Sequence, residues 1–343
     1  MPHGMYLRSA SDWYLDADDE HTIEKFTRIK KLATHDVEPL SLRYYLSYVD
    51  WYIEQKRIDP LPVYIERLDY EKEYCYRAVT NDGETIHAKN VAVAVGLKYF
   101  KYIPAELAAL LPPRSFSHTC DTTDMKQMEG KEILIVGGRQ SAYEWAALLN
   151  EAGAASVHIS HRHASPAFET ADWSWVNAMV DRYENEPLWF HDLSEAAKED
   201  IRKRLWAEGR LKIEPWLQQR IRKHNVRIWP CTQIVSARQL QNSKLEVLLD
   251  NGERIIIDHI IFATGYSVNI HNVPFLASGN ILPLLSVKNN CPVLDEHLQT
   301  NLPGLFITSM PATHDFGPFF GFTIAVRASA KLIAGGLTQA NKK

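Results

Sequence analysis

The chain has 343 residues, of which 45% are hydrophobic and 23% are charged, and its length predicts about two domains with ordinary cores. The net charge of −4 gives no electrostatic reason to expect a nucleic-acid or anionic-membrane partner. No apolar run approaches the ~20 residues of a spanning helix, and the first residues lack the apolar core of a secretory signal. These features predict a cytoplasmic protein and leave its oligomeric state open.

The cysteines do not form a recognisable functional pair. Four cysteines stand far apart in the chain, and no two of them make a C-x-x-C motif. This spacing predicts free thiols rather than a redox-active dithiol or a zinc knuckle. We therefore expect no metal site.

In the first 100 residues, helical patterns precede a β-rich segment. Two stretches carry apolar residues at helical intervals, and an Asn-Asp-Gly turn at 81–83 separates two strand-like runs. The run VAVAV is apolar throughout and ends at Gly96, as a strand covered on both faces would. The predicted helices are 22–31 and 40–55, and the predicted strands are 74–80, 84–88 and 91–95.

The stretch KEILIVGGRQSA at 131–142 predicts a strand, a tight turn and a helix start. The apolar run 133–136 meets a glycine pair, and a helix-compatible run follows at 140–150. A second strand is predicted at 156–160, after a helix stop at Gly153. Free N–H groups at the start of a helix favour an anion, so this βαβ unit predicts a phosphate-binding turn.

Individual residues of the turn carry different expectations. Gly137 serves the tight turn, while Gly138, Gln140 and Ser141 complete the candidate site. Ser141 would either cap the helix or touch a phosphate. Arg139 stands where the dinucleotide fingerprint G-x-G-x-x-G/A requires its second glycine. Its side chain would either lie across a pyrophosphate as a counter-charge or block the approach of the nucleotide.

The end of the second strand bears on the choice between NADPH and NADH. Enzymes that use NAD place an acidic residue there for the ribose hydroxyls, whereas this chain reads Ser160-His161-Arg162-His163. Arg162 can pair with a 2′-phosphate, which favours NADPH. The H-x-H pair is not expected to bind metal, because no third ligand lies nearby in sequence.

The remainder of the chain alternates between charged helices and strands. Residues 165–215 are rich in tryptophan and predict helices near 193–208 and 214–224; these tryptophans would either line an apolar pocket or form core. A loop is predicted at 310–321 and a helix at 322–334. The predicted strands are 226–229, 233–237, 245–249, 255–263 and 304–308.

Several segments together resemble a known family. One hairpin leads into VAVAVG and another into IIFATG, so two similar strand ends enclose the GGRQSA turn. With HGMYLRS at 3–9, ATGY at 263–266, NLPGLF at 301–306 and DFGPFFG at 315–321, the chain resembles the two-dinucleotide-domain flavoproteins. The resemblance points to flavin-containing monooxygenases and to the bacterial N-hydroxylating lysine and ornithine monooxygenases.

The resemblance implies a fold and two cofactors. The fold class would be α/β, with two Rossmann-like dinucleotide-binding domains, three-layer sheets and β-meander crossovers. Residues 1–112 and 258–343 would form an FAD-type domain, and 113–257 an NADP-binding domain. The cofactors would be FAD and NADPH. Further cofactor-binding residues implied by the resemblance are Thr264, Gly265, Asp315, Gly317 and Phe319.

The chain departs from the family at its start. Members begin with a strand–GxGxxG–helix unit for FAD, and nothing before Met5 can form one, since such a unit needs ~30 residues. We expect either an N-terminal truncation or a remodelled flavin domain that is incomplete at its N-terminus.

The implied activity is oxygenation of a small amine or sulfide by O₂ through a flavin peroxide, with no catalytic residue assigned. The alternatives are a flavin reductase or NADPH oxidase without oxygenation, and a truncated, non-catalytic nucleotide-binding protein.

Overall fold

The structure is a computed structural model, and it describes residues 2, 4–71, 75–121 and 124–340. His3, in the segment 3–9, and Tyr74, at the start of the strand predicted over 74–80, lie outside the described residues. The chain forms two compact units. Unit 1 contains the N-terminal residues up to Met5 together with Lys101–Trp173 and Ile201–Ser267; unit 2 contains Tyr6–Phe100, Ser174–Asp200 and the chain from Val268 onward.

The helices and strands have the following bounds. The α-helices in chain order are α1 Ile23–Ile29, α2 Thr34–Val37, α3 Leu42–Lys56, α4 Ala105–Ala108, α5 Gln140–Glu151, α6 Ser174–Asp181, α7 Glu195–Arg210, α8 Leu217–Ile221, α9 Pro274–Ala277, α10 Ile281–Leu284, α11 Thr313–Phe316 and α12 Ala325–Ala340. The strands are β1 Ile65–Glu71, β2 Cys75–Thr80, β3 Thr85–Ala88, β4 Val91–Val93, β5 Phe116–His118, β6 Glu132–Val136, β7 Ser156–His161, β8 Ala167–Phe168, β9 Lys212–Ile213, β10 Val226–Pro230, β11 Ile234–Gln239, β12 Leu245–Leu249, β13 Arg254–Ile257, β14 His259–Phe262, β15 Val287–Lys288, β16 Cys291–Pro292 and β17 Leu305–Ile307.

Unit 1 is built on a parallel sheet in the order β10-β7-β6-β14-β5. Residues 133–136 of the central strand β6 are all apolar, because both faces of the strand are covered. Ile133 and Ile135 point to one side and pack with α5, where Trp145 is 1% exposed. Leu134 points to the other side and packs with the antiparallel meander β11-β12-β13. The three layers of helix, sheet and meander confirm the predicted α/β class and the βαβ unit.

The apolar run predicted as one strand over 255–263 forms two strands in two sheets. Asp258 interrupts the run, and its backbone N–H donates to the Glu132 carbonyl at 2.7 Å while its carboxylate accepts from the Glu132 N–H at 2.8 Å. The chain therefore leaves the meander after β13 and enters the parallel sheet as β14 beside β6. As a result, unit 1 extends to Ser267, whereas the predicted NADP-binding domain ends at 257.

Unit 2 opens with two capped helices over an aromatic core. The hydroxyl of Thr22 accepts from the Lys25 N–H, and that of Ser41 accepts from the Tyr44 N–H, which fixes the starts of α1 and α3. Phe26 and Tyr48 are buried between these helices. The helices predicted over 22–31 and 40–55 are thereby confirmed with boundaries one or two residues different.

The sheets of unit 2 are small. Strands β1-β2-β3 form an antiparallel meander, and β4 pairs in parallel with β17. The loop predicted over 310–321 is wrong: 3₁₀ turns over Met310–Ala312 and Pro318–Gly321 flank α11. A proline near the start of each turn presets its helical φ, and Gly317 at φ +82° separates α11 from the turn that follows. The last helix accordingly begins at Ala325 rather than 322.

Asp16 joins α3 to the segment before α1. Its carboxylate is 1% exposed and binds Lys56 Nζ at 2.9 Å, His21 Nδ1 at 2.9 Å and the His21 backbone N–H at 2.8 Å. Burial alone would raise the pKa of Asp16, but these hydrogen bonds outweigh it and hold the pKa well below its usual range.

The substitution Asp16→Asn should lower the free energy of unfolding at pH 7 by about 2 kcal/mol, since it weakens hydrogen bonds to a charged group. Because the pKa is depressed in the folded state, the ionised carboxylate stabilises the fold above about pH 4, and this contribution is lost as the pH falls further. Denaturant unfolding at several pH values measures the effect. Asp18→Asn is the matched control, since Asp18 also contacts Lys56 but its side chain is 71% exposed; an equal loss in both variants would contradict the prediction.

Within the described part of the chain, no helix combines the length and the apolar character needed to cross a membrane.

Candidate functional site

The turn after β6 requires glycine at its first position. Gly137 has φ +142°, and a Cβ there would lie 2.5 Å from the backbone oxygen of Ala263. Strand β14 therefore approaches the turn closely, in keeping with the tight-turn role predicted for Gly137.

The second position of the turn also requires glycine, because a histidine ring lies against it. A Cβ on Gly138 would lie 2.4 Å from Cγ of His161, at the end of β7. The His161 Nδ1 lies 2.8 Å from the His163 carbonyl, so it carries the proton, and Nε2 faces the Tyr143 hydroxyl at 3.3 Å. Burial lowers the pKa of His161, which keeps the imidazole neutral above the turn.

Helix α5 begins at this turn, and the side chain of its N-cap residue makes no hydrogen bond to the first N–H groups of the helix. Arg139 occupies the N-cap position with φ −116°, an extended conformation open to any residue, and its side chain does not cap the helix. Ser141 lies exposed in the first turn. The helix start thus offers free N–H donors and a partial positive charge to an anion.

Gln140 supplies an unused buried donor beside these N–H groups. Its side chain is 8% exposed, and Oε1 accepts from the Glu214 N–H at 3.1 Å. Its Nε2 is buried and has no hydrogen-bond partner among the described residues. A buried amide without an acceptor costs free energy, and a phosphate oxygen would satisfy it.

Arg139 folds back over the turn. Its Nη1 donates to the carbonyl of Arg210 at 2.8 Å, and its guanidinium lies 5.0 Å from the centre of the Trp206 ring. Burial lowers the pKa of Arg139, and the charge of Arg162 lowers it further. The two arginines are neighbours at the turn, because Gly138 and His161, which directly precede them, pack against each other.

Arg162 is exposed directly after β7, where the sequence predicts 2′-phosphate recognition. Over the residues that the structure describes, neither Arg162 nor Arg139 forms an ion pair with a carboxylate. Two neighbouring cations without a counter-charge are suited to bind a phosphate.

Thr264 and Gly265 lie at the same edge of the sheet, after β14. The Thr264 hydroxyl donates to the carbonyl of Tyr102. The carbonyl of Gly265 accepts from the Tyr102 N–H and from His118 Nε2, each at 3.0 Å. Both residues thus anchor the 101–102 segment. The segment is held within unit 1, since Thr264 and Gly265 follow β14, which pairs with β6.

The other predicted cofactor residues lie in unit 2 and contact protein groups there. The carboxylate of Asp315 accepts from the Leu294 N–H at 3.0 Å and binds His314 Nδ1 at 2.7 Å. A Cβ on Gly317 would meet the ring of Phe190 at 2.8 Å. Phe319 is buried and packs edge-to-face on Trp175.

The carboxyl ends of β4 and β17 meet at one edge of unit 2, because these strands run parallel. Gly96 follows β4 with φ +59°, and among the described residues other than its chain neighbours no atom lies within 4 Å of the place where its Cβ would stand. Ser309 follows β17 with φ +67°, an uncommon conformation for a residue other than glycine. This edge has the open backbone that a ligand can approach, since ligands of α/β sheets bind outside the carboxyl ends of strands.

The structure thus separates the predicted site residues into two groups. The residues of the turn, Arg162, Thr264 and Gly265 share the carboxyl edge of the unit 1 sheet, whereas Asp315, Gly317 and Phe319 lie in unit 2. Sequence reasoning missed His161 as the ring over Gly138 and Trp206 as the platform of Arg139. The available signal was Trp206 itself, which is the one aromatic residue in the charged sequence of α7. Its side chain is 52% exposed in the structure. Among the described residues, no cluster of three or more His, Cys, Asp or Glu side chains could hold a metal ion.

Comparison with known proteins places the chain in a family. The model of the pyridine nucleotide-disulphide oxidoreductase family matches residues 63–308, so the chain belongs to this family. A ferredoxin–NADP reductase from Symbiobacterium thermophilum is 31% identical over 100 residues, which cover 29% of this chain and 29% of that protein.

Solved structures define the fold. The structure of the ornithine N-hydroxylase of Kutzneria sp. 744 with reduced FAD, NADP⁺ and L-ornithine aligns with a TM-score of 0.75 at 13% identity. The alignment covers 99% of this chain and 88% of that one. The L-lysine 6-monooxygenase of Pseudomonas syringae aligns with a TM-score of 0.69 at 16% identity and covers 96% and 87%. The fold is therefore that of the N-hydroxylating flavoproteins, and the resemblance predicted from GGRQSA and ATGY is confirmed at this level.

Proposed function

We propose that the protein is an FAD- and NADPH-dependent monooxygenase that hydroxylates a small amine. The observation that carries the proposal is the start of α5, where Gln140 Nε2 is buried without a partner among the described residues and where neither Arg139 nor Arg162 pairs with a described carboxylate. Family membership and the fold support a dinucleotide at this turn.

The turn fits NADPH. The first N–H groups of α5 and Gln140 Nε2 would donate to the pyrophosphate oxygens, and the buried donor of Gln140 would then be satisfied. Arg162 would bind the 2′-phosphate at the end of β7, where no carboxylate would repel it. These residues bind and orient the nucleotide and need not move a proton.

The edge at Gly96 and Ser309 fits FAD, because open backbone stands at the carboxyl ends of two parallel strands. Asp315 and Phe319 already have protein partners, and Gly317 packs against Phe190. These three residues would then support the protein side of this edge. We thus place NADPH in unit 1 and FAD in unit 2. Relative to the predicted division, the residues up to Met5, 101–112 and 258–267 lie in unit 1, and residues 174–200 lie in unit 2.

When bound, FAD would supply the redox chemistry, since it takes a hydride equivalent from NADPH and activates O₂. The chain contributes binding and orientation, and its apolar surroundings exclude water. An amine substrate is favoured over a sulfide because an ornithine N-hydroxylase and an L-lysine 6-monooxygenase share this fold.

A reductase without oxygenation is the second candidate. The 31% identity over 100 residues with a ferredoxin–NADP reductase supports this candidate, because such a reductase transfers electrons without oxygenating a substrate. In that case NADPH and O₂ would yield H₂O₂ but no hydroxylated product.

The two functions are separated by product analysis of the purified protein after incubation with FAD. N-hydroxylation consumes one NADPH, one O₂ and one proton for each hydroxylamine and water formed. We expect a flavin absorbance spectrum in the protein and hydroxylamine from ornithine or lysine. H₂O₂ alone would establish the reductase, and a colourless protein that does not consume NADPH would exclude both functions.

A further inference from the structure

The side chain of Arg139, the residue that interrupts the dinucleotide fingerprint, contacts α7. Its guanidinium lies against the ring of Trp206 at 5.0 Å and donates to the carbonyl of Arg210 at 2.8 Å. Both partners belong to the unit 1 part of α7, which the tryptophan-rich insertion contributes. These two contacts hold the Arg139 side chain against α7.

The charge of Arg139 is held but not neutralised. A carbonyl is a neutral acceptor, and an exposed cation–π contact contributes only about 0.5–1 kcal/mol. A phosphate offers charge-assisted, bidentate hydrogen bonds that are roughly twice as strong as neutral ones. The guanidinium could therefore exchange the Arg210 carbonyl for a phosphate oxygen at a small cost in free energy.

The neighbouring charge indicates which phosphate Arg139 meets. Arg139 and Arg162 directly follow Gly138 and His161, which pack against each other, so the two side chains leave the backbone at the same edge of the sheet. Arg162 follows β7, the position at which Rossmann-like domains meet the ribose 2′ position. A 2′-phosphate between the two arginines would relieve their repulsion, whereas the pyrophosphate lies at the N–H groups of α5.

We propose that Arg139 is a second 2′-phosphate-binding residue and that Trp206 positions it, so that the arginine in place of glycine raises selectivity for 2′-phosphorylated nucleotides. The inference rests on the proposed NADPH site and deepens it. Trp206 acts through Arg139 and is a positioning residue; its ring is 52% exposed, so its removal leaves the core intact.

Calorimetric titration of the full chain with adenosine 2′,5′-bisphosphate and with ADP, which lacks the 2′-phosphate, tests the proposal. Arg139→Gln should weaken binding of the bisphosphate about tenfold and leave ADP within about twofold. Trp206→Ala should give a smaller loss of the same kind, Trp206→Phe should restore part of it, and the loss from Trp206→Ala should vanish when Arg139 is already Gln.

Arg227→Gln is the matched control, because Arg227 also stacks on a tryptophan, Trp229 at 5.3 Å, but lies on β10. An equal effect of Arg139→Gln on both nucleotides, or tighter binding of either, would overturn the role of Arg139. Full selectivity in Trp206→Ala would overturn the role of Trp206. If the wild-type chain binds neither nucleotide, the proposed function fails and this inference with it, an outcome distinct from a selective site that ignores Arg139.

Discussion

Replacement of Arg162 by alanine should weaken NADPH binding about 10- to 100-fold and leave NADH binding nearly unchanged. Charge-assisted hydrogen bonds contribute about 1.5–3 kcal/mol, which corresponds to this range of dissociation constants. The side chain is exposed and forms no ion pair within the described chain, so its loss should not disturb the fold. Equilibrium binding of both nucleotides to the wild-type and variant proteins measures the effect.

A surface arginine elsewhere in unit 1 provides the control for Arg162. Arg254 lies on the meander and pairs with Glu246 at 3.0 Å. Arg254→Ala removes the same charge without approaching the turn and should leave both affinities unchanged. Equal losses of NADPH and NADH in Arg162→Ala would reject recognition of the 2′-phosphate.

The substitution Gly138→Ala should destabilise unit 1 by about 3 kcal/mol, because the new methyl group would collide with the His161 ring. Gly138 does not have a positive φ, so the cost is steric rather than a backbone strain. The imidazole is wedged between the turn and Tyr143 and has little room to yield. Thermal and denaturant unfolding of the variant would measure the loss.

A double variant isolates the cause of this loss. His161→Ala removes the ring, so Gly138→Ala should cost much less in the His161→Ala background than in the wild type. If the two substitutions were additive, the contact between Gly138 and His161 would not be the reason for glycine at this position.

Local pattern predicted much of the architecture of unit 1. The apolar run at β6, the glycine pair and the helix-compatible run after it are all encoded within 20 residues, since both faces of a central parallel strand are buried. The end of the apolar run at β13 and β14 was harder, because a single Asp258 that pairs with distant Glu132 divides it.

The candidate site could be predicted only in part, because it too depends on contacts between residues that are distant in sequence. Gly137, Gln140 and Arg162 follow from a local motif, but the position of the Arg139 side chain depends on Trp206 and Arg210, about 70 residues away in sequence. The prolines and glycines of the segment 310–321 predict a loop, because these residues form turns, whereas in the structure the prolines begin short helical turns.

If the turn after β6 binds a nucleotide and prefers one with a 2′-phosphate, calorimetric titration of the wild-type protein with NADP⁺ and with NAD⁺ will show it, and this experiment requires neither flavin nor substrate. We expect saturable binding of one NADP⁺ per chain, at least about tenfold tighter than that of NAD⁺. Equal affinities for the two nucleotides, or no binding of NADP⁺, would contradict it.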